Sequence, residues 1–299
     1  MASNNKSSIG YLYSFIACVL FGSIYIGSNI ALREFSPVQV CCLRFLFGSA
    51  GLLVLNLIAK RSLKIEKSDF KYFIMVAFIG YFLSYIFAMY SNSFAGPVLA
   101  SLLNSLNPVF IAIFGVIMLH EKITVKHWIL LGVALVGVYI ICSGNVEGEI
   151  IGVICATLSM VAWGFSSSHN KRLCAKYDPL VVAFWAIVLS LIFYIPTITV
   201  DFAMNGIPHA SIEAWLAVAY VGIFGITAAQ SIWLLAMSKL PMSTCSMFYP
   251  IQPLTSAIIG VLFLDSKLTA RLLIGGVLIC AAIMLNFIDF GKMKERLRS

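Results

Sequence analysis

The chain has 299 residues, 61% of them hydrophobic and only 11% charged, against roughly 45–50% apolar and about 25% charged in soluble domains. That balance excludes a water-soluble globular fold of this size. The formal charge is +8, from twenty Lys and Arg spread thinly over the whole length, which excludes the clustered basic footprint of a nucleic-acid partner. Ten apolar stretches follow in order, at 10–31, 38–59, 72–91, 94–118, 126–143, 150–169, 179–200, 214–236, 242–264 and 270–289. Each has about 18 to 25 residues, enough at 1.5 Å per residue to cross about 30 Å of hydrocarbon. The connections are too short for a soluble domain, and a barrel would show shorter, alternating segments. The expected fold is therefore all-α and membrane-integral, with ten transmembrane helices. The first stretch follows Lys6 as a secretory signal would, but its length and its later repetition read as a span.

Loop cations set the expected orientation. With the N-terminus in the cytoplasm, sixteen Lys and Arg fall inside, five of them between Lys60 and Lys71 and four in the tail from Lys292, whereas Arg33, Lys267 and Arg271 fall outside. Under the positive-inside rule both termini are cytoplasmic and the protein is a multi-pass component of the cell membrane.

The chain repeats itself. Residues 10–38 align without gaps on 152–180, so that Leu20-Phe21-Gly22 falls on Ala162-Trp163-Gly164 and Phe35-Ser36-Pro37 on Tyr177-Asp178-Pro179. Ser36 and Asp178 are good N-caps, and a proline at the first helical position wastes no hydrogen bond. In the same register Val76 to Gly80 falls on Val218 to Gly222; after a three-residue shift Asn107-Pro108, with Gly115 and Lys122-Ile123-Thr124 beyond, falls on Gln252-Pro253, Gly260 and Lys267-Leu268-Thr269. The expected organisation is two five-helix units, 1–145 and 146–299. Five is odd, so the second unit enters the membrane from the opposite side, and inverted repeats of this kind are a transporter architecture with a midplane site.

These features resemble the EamA-type ten-helix branch of the drug/metabolite transporter superfamily. The likeness lies in the aromatic-Gly pairs Phe21-Gly22 and Trp163-Gly164, in Arg44 within Cys41-Cys42-Leu43-Arg44-Phe45, in Pro108 and Pro253, and in the acidic hinge Leu119-His120-Glu121-Lys122. The second unit departs from the pattern, with Leu264-Asp265-Ser266-Lys267 at its hinge and Ala186 where Arg44 would recur. The resemblance, with Arg44 and a midplane free of acids, implies a secondary transporter exporting small metabolites such as amino acids or related carboxylates by alternating access. The alternatives are a drug or metabolite importer or exchanger, and a lipid-handling protein that translocates nothing.

Candidate site residues come from polarity inside the spans. Arg44 is the one ionisable residue clear of the span ends, and such residues usually face a cavity or a partner. Asn104 and Asn107 precede Pro108, and Tyr249 and Gln252 precede Pro253; each proline frees the carbonyl four residues earlier beside polar side chains near mid-membrane. Tyr85, Trp163 and Trp233 supply aromatic wall. The expected substrate residues are thus Arg44, Asn104, Asn107, Tyr249, Gln252, Tyr85, Trp163 and Trp233, with Gly22, Gly164, Pro108 and Pro253 as flexing points. Asp and Glu lie only at span ends or in loops, which disfavours a proton pump or an organic-cation extruder built on buried carboxylates. His120-Glu121 is not part of an HExxH motif, the eight cysteines form no CxxC pair, and no Walker motif is present. No enzyme chemistry, cofactor or metal is expected; the expected partners are a small-molecule substrate and the lipid bilayer, with the oligomeric state open.

Overall fold

A computed structural model describes residues 2–142, 150–206, 209–263 and 270–287. The sequence-read outer loop at 143–149, the hinge at Asp265 to Lys267 and the basic tail lie outside the described residues. Among the described residues every regular element is helical. The first unit contains α1 (Ala2–Ala31), α2 (Pro37–Ile58), α3 (Phe70–Met75), the π-helical π1 (Val76–Leu83), α4 (Ser84–Asn104), α5 (Asn107–Leu119) and α6 (Val125–Cys142). The second contains α7 (Ile150–Lys176), α8 (Pro179–Asn205), α9 (Ile212–Tyr220), the π-helical π2 (Val221–Ala229), α10 (Gln230–Lys239), α11 (Met242–Ser246), α12 (Ile251–Phe263) and α13 (Ala270–Phe287). Among the described residues six helices, at 7–31, 37–58, 70–94, 150–176, 179–204 and 212–239, are long and apolar enough to cross a membrane. Asn107–Leu119, Val125–Ile140 and Leu273–Ile283 are shorter apolar helices.

Local chemistry explains where the helices start. Ser36 Oγ accepts the Gln39 N–H at 3.2 Å while Gln39 Oε1 accepts the Ser36 N–H at 3.1 Å, a reciprocal cap closed by Pro37. Asp178 caps α8 by accepting the Leu180 N–H at 2.9 Å, again before a proline. Both caps satisfy donors that a helix start leaves unpaired.

Two sequence-read spans differ from the structure, and proline is one reason. The stretch 94–118 is interrupted between α4 and α5, and 242–264 between α11 and α12. Pro108 and Pro253 have no N–H to give the carbonyl four residues back. The chain closes instead through tighter bonds, Leu106 N–H to Leu103 O and Val109 N–H to Leu106 O at 2.9 Å, and Gln252 N–H to Tyr249 O at 2.9 Å. The gap read between the third and fourth stretches, at Asn92-Ser93, is not a helix end, for helical backbone continues to Asn104. Serine and asparagine lower helix propensity only slightly, and polarity alone is a poor stop.

Contacts between the units are reciprocal. α1 packs on α10 and α12, and α7 packs on α4 and α5. At these crossings Gly22 and Gly164 allow close approach: a Cβ on Gly22 would stand 2.6 Å from Gln252 O, and one on Gly164 3.0 Å from Phe110 O. Helix ends collect in two groups. At one end Arg61 pairs with Asp178, Lys176 reaches Glu66 and Asp69 at 2.7 Å, and Trp185 Nε1 donates to Leu63 O at 2.8 Å. At the other, Ser36 Oγ and Gln39 Nε2 donate to Asp201 at 2.9 and 2.7 Å, and Glu34 accepts the Ser211 N–H and hydroxyl at 2.6 Å.

Candidate functional site

The broken helices and the reciprocal crossings line a partly open cavity of about 120 Å³ between the two units. Phe21, Ile24, Tyr25 and Ser28 of α1 form one wall; Ser84, Tyr85, Ala88, Met89 and Asn92 of α4 form the facing one. Arg44 enters from α2, Asn104 and Asn107 flank the first break, Tyr249 and Gln252 flank the second, and Ser159 and Trp163 come from α7. Arg44 is about 10 Å along α2 from Pro37, and Ser28 about 5 Å from the end of α1. The cavity therefore lies in the half of the bundle nearer Ser36 and Asp201.

Arg44 is 2% exposed. Its guanidinium carbon stands 4.4 Å from the centroid of the Tyr85 ring and 5.5 Å from that of Phe45, so the aromatic faces supply part of the attraction that water no longer gives. Its Nε has no hydrogen-bond partner. Among the described residues no carboxylate lines the cavity. A buried cation with an unpartnered Nε, and with no carboxylate among the described residues of the cavity lining, can pair with an anionic group.

Around it the aromatics are locked. Trp163 Nε1 donates to Tyr249 Oη at 2.6 Å, and the Tyr85 and Trp163 rings meet edge to face at 5.8 Å. Tyr25 Oη donates to Gln252 Oε1 at 3.4 Å, tying α1 to α12 across the units, and Ser84 Oγ donates to Ser159 O at 3.0 Å, tying α4 to α7. Asn107 Oδ1 is buried without a partner. The site thus combines one cation, several amides and an aromatic wall. Among the described residues no cluster of three or more His, Cys, Asp or Glu could hold a metal ion.

Seven of the eight side chains read from the sequence as substrate residues line this cavity, drawn from both units. Trp233 does not. It is fully buried behind the wall, its ring edge-on to Tyr249 at 5.1 Å. A hydrophobic residue on a span buried on several sides carries no signal of which side faces a cavity. Tyr25, Ser28 and Asn92 also line the cavity and are not among the residues read from the sequence. Phe21, Tyr25 and Ser28 recur at i, i+4 and i+7, and Tyr85, Ala88 and Asn92 at i, i+3 and i+7, which is one helix face each, but only packing shows that those faces meet. The four flexing candidates are not among the lining residues, but each directly follows one in the chain: Gly22 follows Phe21, Gly164 follows Trp163, Pro108 follows Asn107 and Pro253 follows Gln252.

Residues 8–143 and again 150–288 match the family model described as EamA-like transporter family. The chain is similar to the uncharacterized transporter YoaV of Bacillus subtilis (strain 168), 21% identical over 284 residues that cover 92% of this chain and 96% of YoaV. It is similar to an uncharacterized transporter of Archaeoglobus fulgidus, 24% identical over 268 residues covering 90% and 95% of the two chains. A solved crystal structure superposes with a TM-score of 0.80 at 20% identity, over 98% of this chain and 99% of that one, and so shares the fold.

Proposed function

The chain belongs to the EamA-like transporter family, and from that premise we propose that it is a secondary transporter exporting small metabolites that carry a carboxylate, amino acids and their relatives, by alternating access of its two five-helix units. The observation that carries this reading is Arg44, a buried cation with an unpaired Nε on a cavity lined by amides and aromatic rings and, among the described residues, by no carboxylate. Holding such a charge within the hydrocarbon costs from about 2.5 to more than 10 kcal/mol. A substrate carboxylate repays part of that by a charge-assisted pair. Asn104, Asn107 and Gln252 offer donors and acceptors to its polar groups, Tyr85, Trp163 and Tyr249 cover its apolar part, and Trp233 holds Tyr249 from behind. Gly22, Gly164, Pro108 and Pro253 are the pivots at which α1, α7, α5 and α12 change their crossings. At about 120 Å³ the cavity is smaller than the 300–1,000 Å³ typical of drug-sized sites, which favours small metabolites over bulky drugs. The loop cations favour both termini in the cytoplasm.

Purified protein in proteoliposomes, offered a panel of amino acids, other carboxylates and cationic drugs with and without a pH gradient, tests the reading. The expected result is saturable flux of a carboxylate-bearing compound that disappears in Arg44→Gln. Flux of cations only, indifferent to Arg44→Gln, or no flux of any compound, would overturn it.

A further inference from the structure

Between the cavity and the end bearing Lys176 lies a second polar region. Ser166, Ser167 and Asn170 of α7 and Gln230 and Ser231 of α10 are each at most 3% exposed. The three hydroxyl oxygens, Asn170 Oδ1 and Gln230 Oε1 have no hydrogen-bond partner. The amide nitrogens of Asn170 and Gln230 both donate to Tyr81 Oη of π1, at 3.5 and 2.8 Å. Asn170 is about 9 Å from the end of α7 and Trp163, on the cavity wall, about 20 Å. The seam is therefore below the cavity floor.

Its chemistry does not suit a permanently closed interface. Polar residues that glue membrane helices do so by bonding across them, and here five atoms of α7 and α10, with Ser166 packed on Gly80 of π1, are desolvated without that return. A state in which water or a polar solute reaches them satisfies them all.

The repeat says when. The register that sets Gly22 on Gly164 sets Ile24, Tyr25 and Ser28 on Ser166, Ser167 and Asn170; carried on from Gly80 on Gly222, it sets Ala88 and Met89 on Gln230 and Ser231. All five members of the first set line the cavity, and their five counterparts make up the unpaired seam. In an inverted duplication the mouth open at one end corresponds to the mouth closed at the other.

We propose that this seam is the closed second vestibule of the permeation path, a polar lining that receives the substrate carrying its carboxylate when the first mouth shuts, with Glu121 as its latch. Glu121 accepts the Met242 N–H at 2.7 Å, the Ser243 N–H at 3.0 Å and the Ser243 hydroxyl at 2.7 Å, so the hinge after α5 in one unit grips α11 in the other. Lys171 reinforces the same end by donating to Met237 O at 2.8 Å and to Leu240 O. Opening the seam requires α11 to leave Glu121. The inference rests on the transport reading above.

The test uses the full chain with its native cysteines replaced by alanine, in right-side-out and inside-out vesicles, and a membrane-impermeant methanethiosulfonate with a quaternary ammonium head as the probe. Tyr25→Cys and Ser167→Cys, each eluting as a single folded species, are expected to react from opposite faces. Adding Glu121→Gln is expected to raise the rate at Ser167→Cys about tenfold and lower that at Tyr25→Cys, a shift of population between two states. Gln230→Cys replaces Ser167→Cys if that variant does not fold. Tyr25→Cys reacting while neither seam cysteine reacts in either background, or seam and cavity reacting from the same face, would overturn the second vestibule. Those outcomes leave the flux assay, which alone decides the transport reading, unaffected.

Discussion

Ser36 caps α2 and Asp178 caps α8, a proline follows each cap, and both helices cross to the opposite group of ends. Seven residues after Pro37 stands Arg44, beside the aromatic wall of the cavity; seven after Pro179 stands Ala186, fully buried among Val182, Ala183 and Ile187. The frame is duplicated and the charge is not. Two buried guanidiniums would double the desolvation cost and repel each other, so the proposed carboxylate anchor is better served by a single-copy residue in a repeated frame. The same asymmetry marks the breaks, with two asparagines beside Pro108 and a tyrosine and a glutamine beside Pro253.

Forcing the charge into the second frame should do the most damage. Ala186→Arg buries an uncompensated cation and is expected to cost about 3–5 kcal/mol, seen as loss of the monodisperse folded species on size exclusion. Arg44→Ala and Arg44→Gln should instead purify normally and lose flux by more than about tenfold, with Arg44→Lys between, because it keeps charge without the planar fork. A melting temperature that collapses in Ala and Gln alike, with activity following the folded fraction, would make Arg44 structural and leave the amides as the polar anchors.

Next in size are the helix crossings. Gly22→Ala should destabilise by about 1–3 kcal/mol through overpacking, since its Cβ would lie 2.6 Å from a backbone carbonyl. Gly164→Ala should cost less, its nearest backbone atoms being at 3.0 Å. Equal thermal shifts in the two would show that the crossings are interchangeable. Pro108→Ala and Pro253→Ala should leave the melting temperature nearly unchanged and slow flux about two- to tenfold, because each helix regains a bond that the moving state must break. Unchanged turnover in both would reduce these prolines to packing.

The smallest effect sits where Tyr177 replaces the ring of Phe35. Lys176 and the Tyr177 hydroxyl both bond Asp69 and hold its carboxyl below the usual carboxylate range. A depressed carboxyl contributes stability that is complete above its unfolded value of about 3.9 and is lost as the pH falls through the folded one. The melting temperatures of the native protein and Asp69→Asn should thus differ slightly at neutral pH and converge below about pH 4. A gap that persists at low pH would mean that Asp69 acts by packing. Orientation is a separate measurement: Lys64→Cys should be labelled from the cytoplasmic face alone.

Much of this was legible in advance because membranes restrict the options. With no water in the hydrocarbon, backbone groups must pair internally, so apolar runs of sufficient length can only be helices, and a polar side chain within them draws attention. That is why Arg44, Asn104, Asn107, Tyr249 and Gln252 stand out in the sequence as polar positions within apolar runs, and why the helix starts at Ser36 and Asp178 follow from cap and proline chemistry.

Which faces meet was not legible. Tyr25, Ser28 and Asn92 belong to stripes that become a wall only when α1 and α4 stand opposite each other, and Trp233 looks like a wall residue until α10 is seen to turn it behind Tyr249. The π segments at Val76–Leu83 and Val221–Ala229 leave no mark in composition, since a slip of the backbone bonds by one residue changes no side chain. Helical form, the duplication and the chemistry available to the site follow from the order of residues, because they depend on local bonding and on the solvent each segment must enter. The cavity, the unpaired seam beneath it and the Glu121 grip on α11 were decided only by tertiary packing, because they depend on which residues far apart in the chain share one small volume.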